Sequence, residues 1–142
     1  MDQTRIHEDV TQRCTAGRLL RAARRITREY DDALRPVDLT IAQFGLLNAV
    51  GRFEPDSISE LADLLALDRT TLSRNLKPLE KAGLIFRGEE GDGRRRRLLL
   101  TTLGVSRLEE AYPLWKEVQD RIEGRLREDG LSQLTAGLKR LR

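Results

Sequence analysis

Apolar positions in this chain recur mostly at helical spacing, interrupted once by two short runs of another kind. From about Glu8 to Leu34 the pattern predicts one long helix. At about 100° per residue, Leu19, Ala22, Ala23, Ile26, Tyr30 and Ala33 share one arc, and Ile6, Val10, Cys14 and Gly17 fall nearly opposite. Beyond Gly17 that second side is taken over by Arg21, Arg24 and Arg28. A helix whose apolar face switches is expected to pack against two bodies: a partner subunit at its start and its own core later. Pro36 ends it, because the residue before a proline avoids the helical basin. Thr40-Ile41-Ala42-Gln43 fits a capping box for a helix burying Phe44, Leu47 and Val50, broken by Gly51 and Pro55.

The next stretch is denser in signals. Ser57-Ile58-Ser59-Glu60 is a second capping box, opening a short helix with Leu61, Leu64 and Leu65 inward. Asp68 caps the following helix, to Lys81, with Leu72, Leu76 and Leu79 at i, i+4 and i+7. Gly83 stops it. Leu84 to Arg87 and Arg96 to Leu100 are β-prone runs flanking the tip Gly91-Asp92-Gly93. Thr101 or Thr102 caps a long helix to about Arg127, with Leu108, Tyr112, Trp115, Val118, Ile122 and Leu126 on one side and a kink expected at Pro113. Gly130 separates a last helix carrying Leu131, Leu134, Leu138 and Leu141 at heptad-like spacing. The predicted fold is mainly α with a small β-hairpin: a helix–turn–helix followed by a basic wing, within one unit of 142 residues.

Charge sharpens this picture. Between Arg69 and Arg97 stand nine basic residues against four acidic ones, although the whole chain carries only +3. The positive charge is therefore local, as a surface that meets phosphates requires. Twenty-two of the 26 basic residues are arginines, which suit forked contacts to phosphate and guanine. No apolar run approaches the length of a membrane span, and the N-terminus has no signal-peptide core. One cysteine cannot close an intrachain disulfide, so the chain reads as cytoplasmic. One histidine and one cysteine make no zinc set, and a carboxylate-only metal site would leave no motif. Phosphate-loop and nucleophile-elbow motifs are absent, so neither a cofactor nor an enzyme is expected.

On the Asp68–Lys81 helix, Arg69, Thr70, Ser73, Arg74, Lys77 and Lys81 fill an arc of roughly 140° opposite the three leucines. Short hydroxyls and long cations on one face let a helix enter the major groove, where Arg74 can fork onto guanine. Pro78 removes a helical N–H and costs about 3 kcal/mol in an ordinary helix interior; nothing in the sequence accounts for it. The four arginines 94–97 sit where a thin ribbon could deliver one into a narrow, electronegative minor groove. Asp92 would be repelled by phosphate and is expected to pair with a nearby arginine, setting the wing's shape.

The order ELADLLALDRTTLSRNLKPLEKAGLI, then GDGRRRRLLLT, then GVSRLEEA resembles the MarR family of winged helix–turn–helix regulators, with Asp92-Gly93-Arg94 matching its D-x-R wing signature. The likeness runs from about Leu39 to Trp115 and more loosely to both ends. It implies a homodimer, with residues 37–101 as the DNA-binding region and residues 1–36 and 102–142 as a helical dimerisation region. It also implies two recognition helices in successive major grooves of a pseudo-palindrome in double-stranded DNA. DNA contacts carry over to Arg69, Thr70, Thr71, Ser73, Arg74, Lys77, Asp92, Arg94, Arg95 and Arg96. Many members are repressors released by a small phenolic or lipophilic effector bound between the two regions.

Other members respond to cysteine oxidation, which makes Cys14 a candidate redox site. Its place beside Val10 and Gly17 on an apolar side reads instead as packing. Tyr30 lies roughly 24 Å away along an ideal helix, too far to assist the thiol within that helix. A different class of function, a basic RNA-binding winged-helix module, fits the same charge pattern and would be separated by competition between duplex and structured RNA.

Overall fold

The structure, a computed structural model, describes residues 2–90 and 96–142. Along the chain these form α1 (Gln3–Arg13), α2 (Thr15–Leu34), a 3-10 turn (Arg35–Val37), α3 (Ile41–Phe53), α4 (Ile58–Leu65) and α5 (Arg69–Lys81). The hairpin β1 (Ile85–Glu90) and β2 (Arg96–Leu100) follows, then α6 (Thr102–Leu126) and α7 (Gly130–Lys139). The strands pair antiparallel, Ile85 with Leu100 and Arg87 with Leu98, with a register shift before Glu90 and Arg96.

One core gathers α3, α4, α5, the hairpin and the middle of α6. Leu34, Leu47, Leu61, Leu72, Leu76 and Leu98 are fully enclosed there, each side chain contributing about 1.5–3 kcal/mol on burial. A smaller cluster of Tyr30, Val118 and Ile122 joins α2 to the second half of α6. Around it the Tyr30 hydroxyl donates to Gln119 at 2.5 Å, and Arg125 forks onto both carboxylate oxygens of Glu29 at 2.8 and 2.9 Å.

The predicted helix 8–34 is two helices. Cys14 is extended (ψ 101°), and its sulfur accepts the Gly17 N–H at 3.4 Å as a cap for α2. Arg18 reaches back to the Gln12 carbonyl left free by the break. The switch of apolar face is thus a change of helix. Cys14 is exposed rather than packed. No residue of α1 is buried, and Leu19, Ala22 and Ala23, expected in the core, are exposed; Ile26 is half-buried and the first buried residue of α2 is Tyr30.

Local signals were correct where one side chain meets one backbone group. Thr40 and Gln43 form the full reciprocal box. Thr101, not Thr102, caps α6 through the Gly104 N–H at 2.9 Å. Gly83, at φ 72°, turns the chain out of α5. The second box is displaced by one residue: Ser57 accepts the Glu60 N–H, but Glu60 reaches back to the Asp56 N–H at 2.6 Å.

Other expectations fail where packing decides. The α3 helix continues through Gly51, whose missing side chain makes room for Leu100: an added Cβ would lie 2.8 Å from its Cδ1. Phe44 is only half-buried, and Leu46 shares the core with Leu47 and Val50. Leu64 is 49% exposed, and Tyr112, 52% exposed, stacks on the outer side of Trp115 at 5.9 Å. The first strand begins at Ile85 and runs on to Glu90. Pro113 and Pro78 both lie within continuous helices.

Candidate nucleic-acid interface

The α5 helix is held from beneath and capped from its start. Leu72, Leu76 and Leu79 are at most 1% exposed, which fixes its rotation about its axis. The Asp68 carboxylate accepts the Thr71 N–H at 3.1 Å. Hydrogen bonds from Thr71, side chain first and backbone second, hold that carboxyl below the usual range, so the cap stays charged at the helix N-terminus.

This rotation leaves Arg69, Thr70, Arg74 and Lys77 exposed on the outer face, as their spacing predicts. Ser73 and Thr71 are half-buried; Thr71 lies off the basic arc, beside the cap. Arg96 is exposed at the start of β2. Asp92, Arg94 and Arg95, with the tip glycines Gly91 and Gly93, lie outside the described residues, and so does the expected pairing of Asp92.

Contacts among the described residues tie the wing to the body. Arg87 on β1 donates to Glu80 on α5 at 3.0 Å. The Leu98 N–H donates to the Pro55 carbonyl at 2.9 Å, and Arg97 pairs with Asp56 at 3.2 Å. Sequence reasoning missed Glu80 and Asp56: Arg87 lies only seven residues from Glu80 but across the turn out of α5, and Arg97 lies 41 residues from Asp56.

A cleft of about 470 Å³ opens where α2, the following turn, α3, the end of α5 and the start of α6 converge. Asp31, Arg35, Asp38 and Arg107 supply its charge, and Leu39, Pro78, Leu79, Ala82 and Leu84 its apolar wall. Two of these groups also hold the connection between α2 and α3. Asp31 accepts the Ile41 N–H at 2.8 Å, and Arg107 donates to the Val37 carbonyl at 2.9 Å. Pro78 thereby gains a location, beside the cleft and off the outer basic face, though no compensation for its lost hydrogen bond is visible. Among the described residues no group of His, Cys, Asp and Glu is placed to hold a metal ion, and no helix is long and apolar enough to cross a membrane.

A capped helix pair, a cationic face on the second helix and an adjoining two-stranded ribbon define the winged helix–turn–helix class. Comparison with known proteins narrows this. The MarR family model matches residues 37–96. An HTH-type transcriptional regulator of Bacillus cereus is 33% identical over 68% of this chain; the chain spans 64% of that relative's length. The transcriptional regulator MosR of M. tuberculosis is 34% identical, with a TM-score of 0.77 over 90% of this chain and 94% of MosR. MosR has also been solved in complex with DNA, with a TM-score of 0.72 over 92% of this chain and 99% of that one. The transcriptional repressor CouR, bound to p-coumaroyl-CoA, is 26% identical with a TM-score of 0.83 over 94% of each chain. The chain belongs to the MarR family, whose members are DNA-binding transcriptional regulators and not enzymes.

Proposed function

We propose that this protein is a sequence-specific repressor that binds a pseudo-palindromic operator as a homodimer and is released by a small effector. The observation that carries this reading is the outer face of α5. A leucine-anchored helix presents Arg69, Thr70, Arg74 and Lys77 outward, next to a wing bound to the same core. In this reading Arg74 reads bases, with Thr70 and Ser73 at base edges or phosphates. Arg69 and Lys77 contact phosphate, Thr71 supports the helix start, and Arg94, with Arg95 and Arg96, serves the minor groove beside Asp92.

Dimerisation is supported by apolar side chains that one chain leaves uncovered at both ends. Ile6, Val10, Leu19 and Leu20 near the start, and Leu131, Leu134, Leu138 and Leu141 near the end, are 38–60% exposed. Residues 1–36 and 102–142 would pair with a second copy, and residues 37–101 would face DNA. A two-fold axis then places two α5 helices in successive major grooves. Effector release is supported by the cleft, whose volume suits a small phenolic or lipophilic molecule and whose wall includes the end of α5. The CouR complex gives precedent for a ligand-bound relative.

Fluorescence anisotropy against duplexes from the DNA flanking the gene tests the assignment. Arg74→Ala should weaken binding and relax base preference by about 1–3 kcal/mol at one position, and Arg94→Ala should weaken binding to all sequences. Unchanged affinity in both variants refutes the reading, and preference for structured RNA over a palindromic duplex replaces it. A peroxide titration of operator binding addresses the exposed Cys14. Equal release of the native protein and Cys14→Ser excludes it as a sensor.

A further inference from the structure

Arg97, the last of the four arginines 94–97, is turned onto the body of the molecule. Its Nε and Nη2 both donate to Asp56 Oδ1, at 3.3 and 3.2 Å. The backbone brings the two residues side by side. The next residue, Leu98, is fully buried and donates its N–H to the carbonyl of Pro55, itself fully buried, at 2.9 Å. Asp56 is fixed in turn, since its own N–H donates to Glu60 at the start of α4. The two charged side chains are nonetheless 54% and 59% exposed, where an ion pair contributes little to stability. The backbone bond already docks the wing, so stability does not explain a carboxylate at position 56.

We infer that Asp56 sets the overall affinity for DNA by occupying the Arg97 guanidinium in place of a DNA phosphate. An uncommitted arginine at the base of the wing would contact the phosphate backbone. Such a contact carries no sequence information: it releases counterions and raises affinity for every duplex alike. A factor common to every duplex cancels in the ratio of operator to background affinity, so an internal partner for Arg97 lowers overall affinity and its salt dependence while leaving the wing's shape and the sequence preference intact. This inference rests on the proposed DNA-binding function.

The test is the salt dependence of binding by the full-length protein to an operator duplex and to an unrelated duplex of equal length. Asp56→Asn, which keeps the shape and removes the charge, should steepen the plot of log K against log salt by about 1.8 for both duplexes, about 0.9 for each of the dimer's two copies. It should also raise affinity for the unrelated duplex and for the operator by a similar factor. Arg97→Gln in the otherwise native protein should leave the slope unchanged, and the double variant should return to the native slope. An unchanged slope in Asp56→Asn overturns the inference, as does a shallower slope in Arg97→Gln alone, which would place Arg97 on phosphate already. If the native protein binds neither duplex, the DNA-binding function itself fails and this inference fails with it. Native binding with flat slopes in Asp56→Asn refutes the role of Asp56 alone.

Discussion

Replacing Gly104 by alanine sets helix propensity against tertiary packing. Gly104 is the third residue of α6, and propensity alone favours alanine there by about 1 kcal/mol. An added Cβ, however, would lie 2.0 Å from the Leu84 carbonyl oxygen and 2.9 Å from its carbon. Leu84 is 1% exposed, and that same oxygen accepts the Thr101 N–H at 3.0 Å. The obstruction is backbone and cannot rotate aside, so α6 must retreat by about 1 Å merely to reach the shortest distances real contacts tolerate. Overpacking costs about 1–3 kcal/mol, and the upper end applies when the neighbour is fixed. The retreat also stretches the Thr101–Leu84 hydrogen bond, worth about 1 kcal/mol. After the propensity gain is deducted, the net loss is about 3 kcal/mol, lowering the thermal midpoint by about 6–12 °C for a chain of this size. Circular dichroism melts at fixed protein concentration measure it, because a dimer's midpoint depends on concentration. Gly45→Ala is the control: it lies exposed on α3 with nothing within 4 Å of its added Cβ, and should stabilise by up to about 1 kcal/mol. A Gly104→Ala midpoint at or above the native value refutes the packing argument.

Two further perturbations probe the joints between helices. The hydrogen bond from Arg125 holds the Glu29 carboxyl below its usual value of 4.5, so its contribution to folding is present above that value and disappears as pH falls through the lower folded-state value. Glu29→Gln should therefore lower the midpoint at neutral pH, and the gap should close in acid; a gap independent of pH contradicts the ion pair. Asp31→Ala removes the acceptor of the Ile41 N–H, and hydrogen exchange should speed up at that amide while the amides of the α5 interior keep their protection.

The Thr40, Asp68 and Thr101 caps, the Gly83 turn and the leucine ladder of α5 were legible in the sequence, because each depends on residues within a few positions of one another. The outward face of α5 follows from the ladder, which places Arg69, Thr70, Arg74 and Lys77 opposite the buried leucines, where they are exposed. Cys14 escaped the reading because a one-residue break barely disturbs helical periodicity; the change of apolar face was visible, but its cause was not. Gly51 was misread for a related reason. Glycine marks either a turn or a close approach, and only the position of Leu100 distinguishes them.

The chain by itself determined the order of elements from α3 to α7, the basic face of α5 and the family, since all three are written in local spacing. Tertiary structure alone decided that Arg97 meets Asp56, where the cleft opens and which groups join α2 and α6 to their neighbours: the Asp31 carboxylate accepts the Ile41 N–H, and the Val37 and Leu84 carbonyls accept from Arg107 and Thr101. Arg97 meets Asp56 across 41 positions and Arg107 meets Val37 across 70. Partners so distant in the chain are chosen by how a core closes, which no local pattern of side chains records.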